Sequence, residues 1–287
     1  MKISTETNSI AKIVGHERAV EYIAKAGFDA FDFSLFEMAE FDWKSKCVIE
    51  NNSPLRTSDY LEFVKRIKKV ADANGIICNQ THAPYPTQYS DVYKWLNAAI
   101  ECTEEIGAKI CVIHPKSLSP VSENVEMYKE LLQFAKEHNV KIATENMWNW
   151  DKEKGHAVSA ACSHHEEFLS LLKTVNDEYF VACLDIGHAE MKGLNTSAVQ
   201  MIKTLKNHIQ ALHIHDNDLT RDSHQIPNSM SINFAPIIKA LKETGYSGYF
   251  TLEADQFLND YTEENVFEGV IKMSDSAKKL AVMFDNL

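Results

Sequence analysis

Short apolar or β-branched runs alternate along this chain with longer amphipathic stretches. The runs lie near residues 2–5, 30–36, 76–82, 109–114, 140–146, 180–186, 209–215 and 249–254. Helix-period patterns fall between and after them, near 16–26, 58–74, 90–106, 121–138, 164–176, 196–207, 234–244 and 263–282. Runs such as Lys109–Ile113 and Val181–Leu184 are almost continuously apolar, so both of their faces must be covered. Alternation of this kind predicts βα units and a parallel sheet. Eight units of roughly 36 residues each match a (β/α)8 barrel with modest loops.

An open doubly wound sheet is the rival architecture. It is weakened because Ser4-Thr5-Glu6-Thr7 stands where a Gly-rich phosphate turn would follow the first strand. No linker or low-complexity segment divides the chain, so residues 1–287 are expected to form a single α/β TIM-barrel domain. Local punctuation agrees with the rhythm. Gly27, Gly75, Gly107 and Gly245 each follow a helical pattern at the offset of a left-handed C-terminal cap. Ser163-His164-His165-Glu166 reads as a capping box, with Ser163 as the cap and Glu166 reaching back to it.

Composition narrows the partners. The 29 basic and 41 acidic side chains give a net charge of −12, with no Lys/Arg run, which argues against nucleic acid and against an anionic membrane surface. A small neutral or polar molecule fits better. The six cysteines show neither zinc-type CxxC spacing nor the density of a disulfide scaffold. Met1-Lys2-Ile3-Ser4-Thr5 lacks a signal-peptide pattern, and no stretch reaches the ~18 apolar residues of a membrane span. Reduced thiols in a cytoplasmic protein are the expectation.

The candidate chemistry lies at the strand ends. His82, His114, Glu145, Asp185, His213 and Glu253 sit at or just past the ends of the third to eighth runs, at separations of 32, 31, 40, 28 and 40 residues. In a barrel these ends converge on one mouth, where barrel enzymes build their sites. Six such groups in one cavity would repel or desolvate one another without a neutralising cation. Mixed imidazole and carboxylate ligation suits Mn2+, Zn2+, Fe2+ or Co2+, with Mg2+ also compatible. Taken singly, a strand-end His is usually structural, and Asp185 before Ile186-Gly187 is ordinary turn chemistry; the coincidence over six consecutive strands carries the inference. His16, His138, His156, His164, His165 and His208 fall on helix patterns or loops and are expected to be solvated or capping. His215 follows His213 by two, on the same strand face, and is expected one layer further out, near solvent or substrate.

The motifs are Thr-His-Ala-Pro-Tyr (81–85), Val-Ile-His-Pro (112–115), Ala-Thr-Glu-Asn (143–146), Cys-Leu-Asp-Ile-Gly-His-Ala (183–189), Leu-His-Ile-His-Asp (212–216), Asp-Ser-His (222–224) and Leu-Glu (252–253). With them the chain resembles the xylose isomerase-like barrels, a superfamily of sugar isomerases, epimerases and abasic-site endonucleases. That resemblance implies a mononuclear metal quartet of Glu145, Asp185, His213 and Glu253. It also implies that His188 contacts the substrate oxygen beside the reacting carbon. The endonuclease branch would further recruit His82, His114, His188, Asp222 and His224, enough for three zinc ions. Its usual Pro-Gly-x-Gly after Asp-x-His reads here as Pro227-Asn228-Ser229-Met230.

Trp148 and Trp150 follow Glu145, and Phe41 and Trp43 follow the second strand; such aromatic faces suit the C–H faces of a sugar. Lys116 and Arg221 are the isolated candidates for a phosphate contact. The expected activity is a metal-dependent isomerisation or epimerisation of a ketose or polyol, with Glu145 and Glu253 exchanging the proton of an enediolate. The alternatives are a dehydratase or lyase on a related polyol or glycoside, a trinuclear zinc phosphoesterase acting on abasic DNA, and a non-catalytic sugar-binding barrel. Related epimerases commonly pair, which implies a homo-oligomer.

Overall fold

The computed structural model describes residues 1–287. Eight parallel strands form the ring: β1 (Lys2–Glu6), β2 (Ala30–Ser34), β3 (Ile77–His82), β4 (Ile110–Val112), β5 (Lys141–Glu145), β6 (Phe180–Asp185), β7 (Ile209–His213) and β8 (Tyr249–Leu252). Strands β1 to β7 pair in chain order, and β8 lies beside β1 in register Lys2↔Tyr249 to Thr5↔Leu252. The remaining gap, between β7 and β8, is closed past the end of β7 by a parallel bridge from Ile214 to Leu252. There the Ile214 amide donates to Thr251 O at 2.9 Å and the Glu253 amide to Ile214 O at 3.0 Å. All eight runs of the sequence therefore become barrel strands.

Eight principal helices surround the ring: α1 (His16–Lys25), α2 (Tyr60–Ala73), α3 (Leu96–Ile106), α4 (Val121–Glu137), α5 (His165–Val175), α6 (Ala198–Leu205), α7 (Phe234–Glu243) and α8 (Val266–Asp285). Their apolar stripes make the main core. In α2, Phe63, Val64, Ile67 and Ala71 recur at helical spacing and are buried, each large side chain contributing about 1.5–3 kcal/mol. Gly107, at φ +91°, ends α3 in the left-handed conformation anticipated for it.

The capping box does not form. His164 is the residue that precedes α5, without a side-chain cap bond, while the Ser163 hydroxyl turns back onto Ala160 O at 2.9 Å. Glu167 rather than Glu166 reaches back, accepting from the Cys162 amide at 3.1 Å. Positive φ at Cys162 redirects the chain before the helix, so the spacing on which a capping box depends is lost. His16 also departs from the solvated reading, because its ring packs edge-on to Phe33 and Phe63 and faces Glu37 at 3.2 Å.

Two hairpins interrupt the plain βα pattern above the mouth. One pairs Phe41–Asp42 with Cys47–Val48, and the other pairs Trp148–Asp151 with His156–Ser159. Inside the ring, the residue two before each mouth ligand forms the layer beneath it, as a strand's period of two requires. On β4 to β7 that layer includes Val112, Ala143, Cys183 and Ala211, buried in a small apolar cluster of their own. On β8, β1 and β3 it is polar, built from Thr251, Ser4 and Asn79. The register of β2 on β3 jumps from Phe31↔Cys78 to Asp32↔Gln80. Asn79 is thus a bulge residue, which lets it face inward beside Gln80, the residue that the period of two places beneath His82.

Candidate metal centre and substrate pocket

The strand ends bring Glu145, Asp185, His213 and Glu253 together, with one potential ligand atom from each lying within 4.8 Å of all the others. His213 Nδ1 is 3.0 Å from Glu145 Oε2 and 3.4 Å from Glu253 Oε2. Its Nε2 faces Asp32 Oδ2 at 3.0 Å. All four residues are buried, yet Glu145 Oε1 and Asp185 Oδ2 have no hydrogen-bond partner. Buried carboxylate oxygens without donors are costly, and a divalent cation is the partner that suits this donor set.

Two more clusters adjoin the quartet. His82, His114 and Glu145 form one, in which the two imidazole Nε2 atoms face each other at 2.8 Å and His114 Nε2 is 3.4 Å from Glu145 Oε2. The other comprises His188, His215, Asp222 and His224. His188 Nδ1 donates to Asn146 O at 2.9 Å and His224 Nδ1 to Glu253 O at 2.8 Å, because a carbonyl oxygen only accepts. Both rings thereby turn Nε2 toward Asp222 Oδ2, at 3.2 and 3.0 Å, an orientation typical of supported metal-binding histidines. The Pro-Gly-x-Gly departure is accommodated: Asn228 takes φ +65°, a left-handed conformation that asparagine tolerates.

His215 is corrected by the structure. It does not line the pocket but is fully buried, with Nε2 3.2 Å from Asp185 Oδ1 and its ring stacked on His224 at 3.9 Å. Gly187 makes the room. A Cβ there would stand 1.9 Å from His215 Cε1, so the imidazole occupies space that any other residue would fill.

Burial pushes the Glu145 carboxyl upward, but the His213 and His114 imidazoles outweigh it and hold the group well below the usual carboxylate range. Glu253 goes the other way. Burial, reinforced by the Glu145 charge and opposed by His213, lifts it well above that range. Burial also lowers His82, helped by the adjacent His114 and His213. For His188 burial is overcome by Asp185 and Asp222, which raise it to about 10. Cys183 lies beside Glu145 and His213, and burial pushes its thiol up, so it stays neutral.

Above the clusters opens a cavity of about 480 Å3. Trp43, Trp148 and Trp150 line it, with Glu145, His188 and Glu253 at its base. Trp148 is anchored by an Nε1 hydrogen bond to Asp222 Oδ2 at 3.1 Å and stands edge-on to His188. No Lys or Arg lines this cavity, and Lys116 and Arg221 both lie outside it.

Four further residues of the mouth lie outside the six strand-end candidates. Asp32 accepts from Gln80 Nε2 at 2.8 Å as well as meeting His213. Glu6, bonded to Ser9, and Asp255 add two more carboxylates nearby. Asp32 had a visible signal as a charge flanked by Phe31 and Phe33 inside an apolar strand, and Glu6 and Asp255 had one in standing just past the first and eighth runs.

Two curated proteins of Methanocaldococcus jannaschii, both uncharacterised, are 29% identical over 164 residues and 30% identical over 187 residues. These matches take in 54% and 61% of this chain, and the chain spans 54% and 63% of those relatives' lengths. An inosose dehydratase of Serratia proteamaculans is 24% identical over 250 residues, 75% of this chain and 80% of that protein. Among solved structures, D-psicose 3-epimerase of Clostridium cellulolyticum superposes with a TM-score of 0.70 at 16% identity, over 98% of this chain and 99% of that one. A zinc-bound IolI protein gives 0.70 at 18% identity, over 100% and 99%. At those identities the likeness speaks for the fold. No helix is long and apolar enough to cross a membrane. The family model for xylose isomerase-like TIM barrels matches residues 20–273, and the chain belongs to that family.

Proposed function

We propose that this protein is a divalent-metal-dependent isomerase or epimerase of a neutral ketose or related polyol. One observation carries the reading: Glu145 and Glu253, from strands on different sides of the ring, flank a common ligand cluster that opens to the pocket. Glu145, Asp185, His213 and Glu253 would hold the ion, which supplies Lewis acidity toward a substrate carbonyl and acidifies the adjacent C–H bond. Mn2+ and Zn2+ both suit the donors, and a family neighbour is described with zinc.

The chain's own groups then divide the work. Glu145 and Glu253 both belong to the ligand cluster and line the pocket, so a carboxylate oxygen of each can face a bound substrate. One removes the proton beside the carbonyl, and either returns it, giving an epimer or the other carbonyl isomer. His188, its Nδ1 fixed on Asn146 O, directs Nε2 toward the pocket side of the cluster and serves the oxygen beside the reacting carbon. The indoles of Trp148 and Trp150 line the pocket and offer flat apolar surfaces to the C–H faces of a sugar ring. Loss of a β-substituent from the same enediolate would make the enzyme a dehydratase or lyase, and the dehydratase named among its relatives supports a polyol substrate. The six free cysteines support a cytoplasmic setting.

Exchange of the substrate's α-hydrogen with solvent deuterium tests the proposal. Glu253→Gln is expected to slow it by about a hundredfold or more, and undiminished exchange removes Glu253 from the mechanism. The three adjoining clusters favour a second reading, a phosphoesterase with three ions. That reading requires about three metal ions per chain by elemental analysis and nicking of an abasic duplex; the cation-free pocket wall opposes it.

A further inference from the structure

Asp185 stands where the sheet supports it on one side only. Main-chain pairing of β6 with β7 continues to Asp185↔His213, but pairing with β5 ends at Cys183↔Glu145, two residues short of it. The Asn146 side chain takes the place of the missing rungs. The Asp185 amide donates to Asn146 Oδ1, and Asn146 Nδ2 donates to Asp185 O, both at 2.9 Å. A carboxamide carries one acceptor and a donor, so a single side chain satisfies both main-chain groups of a fully buried residue, which must be paired somewhere. The main chain of Asn146 does a second task, its carbonyl accepting from His188 Nδ1 at 2.9 Å. Asp185 completes the unit, since its Oδ1 accepts from the His188 amide at 2.6 Å while Oδ2 keeps no partner.

We infer that Asn146 is a positioning residue, whose clasp on the Asp185 main chain sets the Asp185 carboxylate toward the ion site and whose carbonyl sets the His188 ring. Without the clasp, Asp185 would hold its place through β7 alone, and binding an ion would have to remove the freedom gained. A purely architectural role is the competing explanation, and the chain contains a control for it. Asn124, as deeply buried as Asn146, makes the same pair of bonds to Lys116: the Lys116 amide donates to Oδ1 at 2.8 Å and Nδ2 donates to Lys116 O at 3.2 Å. Lys116 belongs to none of the ligand clusters and lies outside the cavity. Two clasps of one design therefore differ in what they hold, a ligand in one case and a loop in the other. This inference rests on the metal-dependent reading for the role of Asp185.

The test titrates Co2+ into the wild type, Asn146→Ala and Asn124→Ala, reading affinity by competition against a chromophoric chelator and coordination by visible d–d absorption. Both variants are expected to lose stability to a similar degree in chemical denaturation, each having given up two buried bonds. Only Asn146→Ala is expected to bind Co2+ about tenfold or more weakly, with an altered spectrum. Wild-type affinity and spectrum in Asn146→Ala overturn the inference, as does an equal weakening in Asn124→Ala. If Asn146→Ala does not fold, Asn146→Asp takes its place, because it keeps an acceptor for the Asp185 amide and loses only the donor to the carbonyl. Its Co2+ spectrum is expected to differ from that of the wild type, and an identical one overturns the inference. A wild type that binds no Co2+ removes the metal-dependent reading and this inference with it, whereas wild-type binding that Asn146→Ala leaves unchanged removes the inference alone.

Discussion

The floor and the mouth of this barrel are built on the same strands and treat their polar groups in opposite ways. In the floor, Ser4 Oγ donates to Asn79 Oδ1 at 2.6 Å, and Asn79 Nδ2 donates to Thr251 Oγ1 at 3.1 Å. Each of these neutral groups is matched by another. One layer higher, Asp32 Oδ1, Glu145 Oε1, Asp185 Oδ2, both nitrogens of His215, Asp222 Oδ1 and Asp255 Oδ1 have no partner, seven of the eleven such buried atoms in the molecule. The floor is a finished structure, while the mouth is complete only with something added. Proteins concentrate this kind of local dissatisfaction where they bind and react.

The contrast breaks if the mouth behaves like the floor under substitution. The largest effect is expected at Asp32→Ala. Its carboxylate orients His213 by accepting from Nε2, which leaves Nδ1 free for an ion, and such supporting partners are worth roughly 10–100-fold in metal affinity. Competition against a chromophoric chelator measures it, and an unchanged affinity would place His213 outside the metal site.

A smaller effect concerns acidity. Burial, with the Asp255 charge adding to it against the bonds from Ser9, raises the Glu6 carboxyl from 4.5 to about 7. The folded chain therefore keeps a proton that the unfolded chain has lost, so this group makes folding less favourable as pH rises from about 4.5 to about 7. Glu6→Gln should flatten that part of the stability profile in chemical denaturation at pH 5 and pH 7.5. Identical slopes for the two proteins would refute the assignment. The smallest effect is expected in the floor: Ser4→Ala removes one neutral bond and should cost about 1 kcal/mol, with metal affinity unaltered in the same chelator assay.

Much of this was legible in the sequence because a barrel repeats its grammar. Buried parallel strands are apolar on both faces, so each run stands out, and a ligand type at six successive run ends is hard to produce otherwise. The quartet and the cluster of His82, His114 and Glu145 are drawn from residues so marked, whereas His188, Asp222 and His224 of the other cluster come only from the family resemblance. What escaped did so for identifiable reasons. Asn79 faces inward beside Gln80 only because a bulge there breaks the period of two, and nothing local to the sequence announces a bulge. His215 was read from parity alone, which gives the face of a strand but not the space created by Gly187 on a neighbouring turn. The capping box failed because left-handed backbone at Cys162 moved the helix start. Tertiary packing decided each of these three.

The ring is zipped along seven of its joins and held at the eighth by a single rung from Ile214 to Leu252. That weakest join has His213 on one side and Glu253 on the other, next to the rung itself. An ion gripping both residues would act as a clasp across the seam, tying the last staves of the cask together at the place where backbone pairing is thinnest. Loading the site and locking the hoop would then be one event, and the emptied protein should loosen first along this line.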